Sequence, residues 1–150
     1  MVQPRPPEKG ADPSLVQEVD EAALRPGRTR EILGYDWGSP ELAEQLLDAK
    51  LLLSERAQTR FFAVEIDNEI VAWTDLYVAQ GVAQIEDVAT VEQHRGKGYA
   101  TAVVLQAAKE GRKAGADLVF LVADGEDWPQ LLYGRLGFDK IGRVYKFLTP

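Results

Sequence analysis

The sequence predicts a mixed α/β fold, in which a mostly antiparallel sheet contains one parallel strand–helix–strand crossover and carries helices on both faces. Two short β-type stretches joined by a tight turn at residues 60–77 indicate a β-hairpin. Apolar residues recur at helical spacing over residues 99–114, between two further β-type stretches, and this order predicts the parallel crossover. We therefore expect a single layered core.

The composition excludes several classes of function. The length of 150 residues suits one domain, and 45% hydrophobic with 27% charged residues is ordinary for a soluble globular protein. A net charge of −7 argues against nucleic acid as a partner, because such proteins need a basic face. The chain has no cysteine and one histidine, so we expect neither a thiol nucleophile nor a metal site. No apolar run approaches a membrane span, which predicts a cytoplasmic protein with no membrane partner.

The N-terminal region divides into a tail and the start of the domain. Residues 1–14 are rich in proline and poor in apolar side chains, so we expect a flexible tail or linker ahead of a domain at residues 15–150. An alternating stretch at residues 15–19 predicts a first strand.

Two short helical pieces are expected next. Asp20 is a suitable N-cap for a helix over residues 21–24, which Pro26 and Gly27 should interrupt, and a second piece covers residues 29–33.

A longer helix and an antiparallel meander follow. The helix begins with a serine cap, a proline and a glutamate and covers residues 39–55. Its predicted apolar face consists of Leu42, Leu46, Leu47 and Leu51. Strands at residues 61–66, 70–77 and 82–91 then form the meander.

The C-terminal part should complete the sheet. Gly115 ends the crossover helix, and the apolar run at residues 118–122 predicts a strand buried on both faces. A short helix opens near Asp127 and closes at Gly137. One or two last strands are expected at residues 139–148.

The loop at residues 93–98 is the first candidate site. Gly96 and Gly98 let the backbone approach a ligand closely, and the free N–H groups at the start of the next helix attract anions such as phosphate. Arg95 and Lys97 add positive charge there. The alternative is a tight turn that glycine merely permits. The loop lacks the third glycine of a dinucleotide-binding fingerprint, and it lacks the Gly-Lys-Ser/Thr sequence of a nucleotide-binding P-loop.

Two longer motifs include or follow this loop. The first reads Arg95-Gly96-Lys97-Gly98-Tyr99-Ala100 and follows the strand Ile85-Glu86-Asp87-Val88-Ala89-Thr90. The second reads Leu132-Tyr133-Gly134-Arg135-Leu136-Gly137-Phe138. The first matches the Arg/Gln-x-x-Gly-x-Gly/Ala signature of the GNAT superfamily of N-acetyltransferases, and the second resembles the family's Leu-Tyr-x-x-Leu-Gly-Phe segment. The resemblance extends from about residue 60 to the end of the chain.

The resemblance implies acetyl-CoA as co-substrate, with no metal. Its pyrophosphate would bind the backbone amides of the loop and the following helix start, and its pantetheine arm would pair with the edge of the preceding strand. The amide of Val88 or a neighbour would polarise the thioester carbonyl. The implied coenzyme-binding residues are Val88, Ala89, Thr90, Arg95, Gly96, Lys97, Gly98, Tyr99, Ala100 and Thr101.

Two residues are the candidates for proton transfer. Tyr133 matches the family's tyrosine near the coenzyme sulfur and would protonate the departing thiolate; its alternative role is packing in the core. Glu86 matches a glutamate that contacts the amine in spermidine/spermine acetyltransferases, so we expect it to act as base or amine anchor, directly or through a water. A structural salt bridge is the alternative for Glu86 and for Asp87, the weaker candidate. Because Glu86 and Asp87 are adjacent on a strand, their carboxylates should point to opposite faces of the sheet.

Some positions depart from the family pattern or lie outside it. Glu126 stands where the family commonly has an asparagine, which affects one coenzyme contact. We interpret His94 as exposed rather than catalytic. Trp37, Trp73 and Trp128 are candidates for lining an acceptor pocket, although core packing suits Trp73 better.

The resemblance predicts an N-acetyltransferase in which a primary amine attacks acetyl-CoA directly. The acceptor is a small molecule or a protein amine, and another acyl donor such as succinyl-CoA stays open. A non-catalytic module that binds coenzyme A as a sensor is the alternative function. The acceptor side should be shaped by the N-terminal helices and the loops at residues 35–40 and 78–81. The last strand could pair across a homodimer.

Overall fold

A computed structural model describes residues 1–2, 12–124 and 129–149. Its regular elements are β1 (Val16–Val19), α1 (Glu21–Leu33), α2 (Pro40–Ala57), β2 (Arg60–Ile66), β3 (Glu69–Ala79), β4 (Val82–Thr90), α3 (Tyr99–Lys113), β5 (Leu118–Leu121) and α4 (Pro129–Arg135). Short 3₁₀ helices cover Pro13–Leu15 and Glu92–His94. None of the helices within these ranges is long and apolar enough to span a bilayer.

The strands form one sheet in the order β1-β2-β3-β4-β5. The first four strands are antiparallel to their neighbours, and β5 runs parallel to β4 after the α3 crossover. Buried side chains such as Phe62, Leu76 and Val104 pack between the sheet and α3. Leu24 of α1 packs with Trp73 on the other face. The predicted mixed fold, with its parallel crossover and its helices on both faces, is confirmed.

Helix α1 is continuous over Glu21–Leu33 with Pro26 inside it, so the predicted interruption was wrong. Pro26 removes one backbone hydrogen bond, but the carboxylate of Asp20 caps the N-terminus and the helix packs on the sheet. Gly27 makes this packing close, because a Cβ there would lie 3.0 Å from Cζ3 of Trp73. Tertiary packing thus outweighs the local cost of proline.

Helix α2 begins where predicted, and its predicted apolar face is buried in part, since Leu47 is buried and Leu42 and Leu51 are half-buried. Its buried residues are Ala43, Leu47 and Ser54. Leu46, which the helical spacing assigned to the apolar face, is 43% exposed. Leu46 borders a small cavity between α1 and α2, which leaves it accessible to solvent.

Strand β5 is buried on only one face. Val119 and Leu121 are buried, whereas Leu118 is 41% exposed and Val122 lies beyond the strand, 61% exposed. The prediction of burial on both faces was therefore wrong, because β5 lies at the edge of the five-stranded sheet.

The expected final strands at residues 139–148 are not formed. Only Asp139 makes an isolated bridge, with Val2, and Val2 also bridges Phe120 of β5. This pairing occupies the outer edge of β5, so the segment that follows lacks a strand partner within the described chain. Its apolar side chains, Ile141, Val144, Tyr145, Phe147 and Leu148, are exposed. Residues 3–11 of the predicted tail lie outside the described residues.

Candidate active site

The C-terminal half of β4 is not paired with β5. Their parallel pairing ends at Ile85 and Leu121, whereas β4 continues to Thr90. The β5-facing edge of Val88–Thr90 is therefore not covered by that strand. Backbone N–H and C=O groups of such an edge can pair with an extended amide-containing ligand.

The N-terminus of α3 faces the same region. Gly98 is its N-cap, with φ +84° and no side-chain cap. The first intrahelical bond runs from the N–H of Ala102 to the oxygen of Gly98 at 3.0 Å, so the amides of residues 99–101 have no partner within the helix. Gly96 also has a positive φ, +76°, and a Cβ at either glycine would meet no atom within 4 Å. The loop leaves open space where an anion would approach the helix dipole.

These elements enclose a central cavity of about 720 Å³. The predicted coenzyme-binding residues all line it except Lys97, which lines a neighbouring cavity of about 390 Å³ instead. Tyr133 and Leu132 of α4 close the opposite wall. The structure thus brings the strand edge, the glycine loop and the second motif together around one space.

Several polar groups at this cavity are available to a ligand. Oγ1 of Thr90 and Nδ1 of His94 are buried without a hydrogen-bond partner among the described residues. Nε of Arg95 donates to the backbone oxygen of Thr90 at 3.2 Å, which holds the arginine over the loop. The amides, open glycines and positive charge fit a pyrophosphate-bearing ligand.

Helix α4 brings the phenol of Tyr133 and the guanidinium of Arg135 to the central cavity. Tyr133 is the candidate proton donor. It is 7% exposed, and its ring meets Phe138 edge-on with centroids 6.2 Å apart. Burial raises the pKa of its phenol above the ordinary value, so the hydroxyl stays protonated at neutral pH. A protonated phenol at a cavity wall can donate a proton. The residues expected to open α4, around Trp128 and Glu126, lie outside the described part of the chain.

A β-bulge in the β3–β4 ladder rearranges the two adjacent carboxylates of β4. Asp75 and Glu86 are cross-strand partners and so point to the same face, and Asp87 beside them has a φ of +51°. Lys50 of α2 pairs with both Asp75 and Asp87. Both β4 carboxylates therefore lie on the face toward α2, and the expectation of opposite faces was wrong.

Glu86 does not reach the cavity. Its carboxylate accepts a hydrogen bond from the side chain of Gln84, and its backbone oxygen accepts one from Oγ1 of Thr74 at 2.8 Å. It is half-buried on the sheet and is not among the lining residues of the central cavity.

A buried ion-pair cluster lies behind this part of the sheet. Asp75 is fully buried and pairs with Arg28 of α1 and, at 2.7 Å, with Lys50. Burial raises the pKa of Asp75 although both cations act to lower it. Burial alone would lower the pKa of Lys50, but Asp75 and Asp87 outweigh it and raise that pKa. The cluster fixes α1 and α2 against β3 and β4.

Two further cavities join the central one from the side of α1. The α1–loop cavity, about 590 Å³, lies between α1 and residues 89–95, and the α1–α2 cavity, about 220 Å³, lies between the two helices. Glu31 and Tyr35 line all three cavities. The sequence analysis expected the N-terminal helices and the loop at residues 35–40, which includes Tyr35, to shape the acceptor side, but it did not single out Glu31. A continuous helix through Pro26 would have pointed to this end of α1.

The remaining predicted aromatic and histidine residues divide between core and site. Trp73 is 2% exposed, as its expected core role requires, and it also lines the two side cavities. Trp37 is 58% exposed and stacks on Tyr35, with ring centroids 4.8 Å apart. His94 is half-buried and lines the central and α1–loop cavities, so the interpretation of it as exposed was wrong. The short 3₁₀ helix turns its ring inward.

Comparisons with known proteins agree with this architecture. A family model described as "Acetyltransferase (GNAT) family" matches residues 18–138. An acetyltransferase from Trypanosoma brucei is similar in structure, with a TM-score of 0.70 at 22% identity over 89% of this chain and 98% of the other. The glucosamine-6-phosphate N-acetyltransferase of Arabidopsis thaliana has a TM-score of 0.66 at 18% identity, and the match covers 89% of this chain and 97% of the other. A predicted acetyltransferase with acetyl-CoA from Clostridium acetobutylicum has a TM-score of 0.68 at 17% identity, and the match covers 89% of this chain and 94% of the other. No curated protein matches the sequence.

Proposed function

Because the chain belongs to the GNAT family of acetyltransferases, we propose that it transfers an acetyl group from acetyl-CoA to a primary amine by direct attack. One observation carries the proposal: the uncovered edge of β4, the glycine-capped start of α3 and Tyr133 meet at one cavity. This arrangement offers partners for an anion, an extended amide chain and a leaving group around one cavity. The acceptor is a small-molecule or protein amine.

The residues of the loop and of β4 hold acetyl-CoA in this proposal. The helix-start amides at Tyr99–Thr101 bind the pyrophosphate, with Arg95 as the cation beside it. Lys97, outside the central cavity, is placed to contact a more distant phosphate. The edge of Val88–Thr90 pairs with the pantetheine amides, and an amide there stabilises negative charge on the thioester oxygen.

The chemistry needs one proton donor and one acceptor. The thioester supplies an activated acetyl group, and its C–S bond breaks as the amine nitrogen bonds to the carbonyl carbon. Tyr133 gives its proton to the departing sulfur, for which its burial and raised pKa suit it. The amine loses one proton to become nucleophilic and a second after attack, so a base must face the acceptor. Glu86, the predicted base, is poorly placed for this role, because its carboxylate lies away from the central cavity and accepts a hydrogen bond from Gln84.

Thermal unfolding with and without acetyl-CoA tests the first half of the proposal, with ATP and NADH as control ligands. Acetyl-CoA at a hundred times its dissociation constant should stabilise the folded chain by about 2.7 kcal/mol, a shift of several degrees. Release of free thiol in the presence of primary amines tests the second half. Stabilisation without any amine-dependent thiol release would indicate a coenzyme sensor, and no stabilisation would remove the assigned coenzyme site.

A further inference from the structure

Within the part of the chain that the structure describes, Glu31 and Tyr35 are the two residues that line the central, α1–loop and α1–α2 cavities alike, and so they mark the junction of these three cavities. Glu31 lies in the last turn of α1, and Tyr35 follows just after the helix, where its N–H donates to the oxygen of Ile32 at 3.2 Å. A group placed at this junction reaches the central cavity on one side and the α1 cavities on the other. An acceptor that enters from α1 must pass it before it meets the thioester.

The cations closest to Glu31 along the chain and across α2 are engaged by other carboxylates. Arg28 and Lys50 are both engaged by Asp75, and Lys50 also by Asp87, so these four side chains balance one another. Arg30 pairs with Glu69 at 3.0 Å across the α1–loop cavity. Among the residues that the structure describes, the carboxylate of Glu31 has neither a hydrogen bond nor an ion pair. Arg95, a further cation that lines these cavities, is assigned above to the pyrophosphate, so the carboxylate of Glu31 is left to match one ammonium group.

The surroundings of Glu31 also suit a base. Glu31 is exposed to the cavities, and its partial desolvation and then the carboxylate of Asp87 raise its pKa, whereas Arg28, Lys50 and Arg95 act to lower it. The other titratable groups that line the cavities on this side are Glu69, Glu92 and His94. A base with a pKa nearer to the working pH accepts protons from an alkylammonium more effectively than an ordinary glutamate does.

An aromatic wall completes the junction. Tyr35 is 48% exposed and is held by its stack on Trp37, with an angle of 8° between the rings. The face of a tyrosine ring attracts a cation by its quadrupole, and Trp73 gives the adjoining cavities an apolar floor. The junction therefore offers a carboxylate and an aromatic ring to the same ligand.

We propose that Glu31 binds the ammonium group of the acceptor and takes its proton, with the ring of Tyr35 beside it. The inference rests on the proposed acetyl transfer and names a residue for its amine side. It assigns the acceptor to the class of primary alkylamines that are cationic when free and have an apolar body next to the amino group. One proton passes from the nitrogen to a carboxylate oxygen of Glu31 and from there to water. The second proton, which the nitrogen loses after attack, restores the phenol of Tyr133, so that the chain is unchanged after each turnover.

The test compares Glu31→Gln and Glu31→Asp with Glu86→Gln and with a charge-matched control, Glu55→Gln, on the exposed side of α2. The wild-type protein is first given acetyl-CoA with 2-phenylethylamine, 1,4-diaminobutane, glucosamine and a lysine-containing peptide, and thiol release selects the best amine. For that amine, kcat/KM is then measured across the pH range in which every variant stays folded. Stabilisation by acetyl-CoA is measured in parallel.

Glu31→Gln should lower kcat/KM for the amine by about 100-fold and remove the acidic limb of its pH profile, while Glu31→Asp recovers part of both. Stabilisation by acetyl-CoA should be unchanged in all variants, and Glu55→Gln should behave as wild type. Wild-type kinetics in Glu31→Gln, or loss of the acidic limb in Glu86→Gln alone, would overturn this inference and leave acetyl transfer intact. Failure of the wild-type protein to use any of the amines, although acetyl-CoA stabilises it, would overturn the proposed function and this inference together.

Discussion

Gly111 of α3 lies so close to Ala83 of β4 that a Cβ on the glycine would stand 2.7 Å from the Cβ of the alanine. The same Cβ would be 3.5 Å from Cδ1 of Leu76 on β3. This contact draws the C-terminal half of α3 onto the sheet and so fixes the direction in which its N-terminus points. The N-terminus of the helix, where we propose that the pyrophosphate binds, is therefore positioned by a glycine three turns away.

Gly111→Ala should destabilise the fold in spite of the better helix propensity of alanine. Alanine gains about 1 kcal/mol in a helix interior, but overpacking against two rigid strands costs about 1–3 kcal/mol, and a Cβ at 2.7 Å predicts the upper part of that range. Urea unfolding measures the difference. Gly134→Ala in α4 is the matched control, since nothing lies within 4 Å of its Cβ position. A Gly111 variant as stable as that control would show that α3 can move off the sheet.

Gly98→Ala should weaken acetyl-CoA binding more than it weakens the fold. An alanine at a φ of +84° costs about 1–2 kcal/mol, and its methyl group would project into the open space assigned to the phosphates. Calorimetric titration with acetyl-CoA measures the affinity. Gly142→Ala, in an exposed segment with free space around it, should leave the affinity unchanged. Equal affinity in the Gly98 variant would mean that the loop makes a turn and no phosphate site.

Tyr133→Phe should lower turnover by about 100-fold with little change in acetyl-CoA affinity, because only the proton donor is removed. The donor must be protonated, so activity in the wild-type protein should fall as pH rises through the phenol pKa. Burial puts that pKa above the ordinary tyrosine value, which places the basic limb at strongly alkaline pH. Kinetics as a function of pH in both proteins check this: the variant should lack the basic limb. Equal turnover would give Tyr133 a packing role against Phe138.

Local sequence signals were sufficient to predict those features that depend on interactions between residues close together in the sequence. The cap at Asp20, the helix start at Ser39, the hairpin turn and the loop with Gly96 and Gly98 follow from turn and capping preferences that act over a few residues. The two motifs also placed Tyr133 and the loop at one cavity.

The features that sequence reasoning missed depend on contacts between distant segments. Helix α1 continues through Pro26 because of its packing on Trp73, and this continuity is what brings Glu31 to the cavities. The β-bulge at Asp87 turns the carboxylate of this residue to the face of the sheet toward α2, and no local sequence pattern predicts the bulge. The last predicted strand has the right composition, but Val2 occupies the edge it needs.

Arg60→Ala should reduce stability at neutral pH by about 1 kcal/mol, a value discounted for solvent screening of a partly exposed pair. Nε and Nη2 of Arg60 bind both oxygens of Glu18 at 2.8 Å, and Nη2 also binds Glu110 at 2.9 Å, which ties β1 and β2 to α3. Hydrogen bonds from Arg60 lower the pKa of both glutamates below the ordinary 4.5.

The sign of these shifts fixes the pH window of the effect. A carboxylate with a lowered pKa in the folded state stabilises the fold above its unfolded pKa, and this stabilisation is lost as pH falls through the folded value. The difference in unfolding free energy between wild type and Arg60→Ala should therefore be constant near neutrality and shrink on acidification below the ordinary glutamate pKa. Urea unfolding as a function of pH measures it, with Arg56→Ala on the exposed side of α2 as control. A difference that is independent of pH would instead assign the loss to the packing of Arg60 over Phe62, whose ring centroid lies 5.2 Å away.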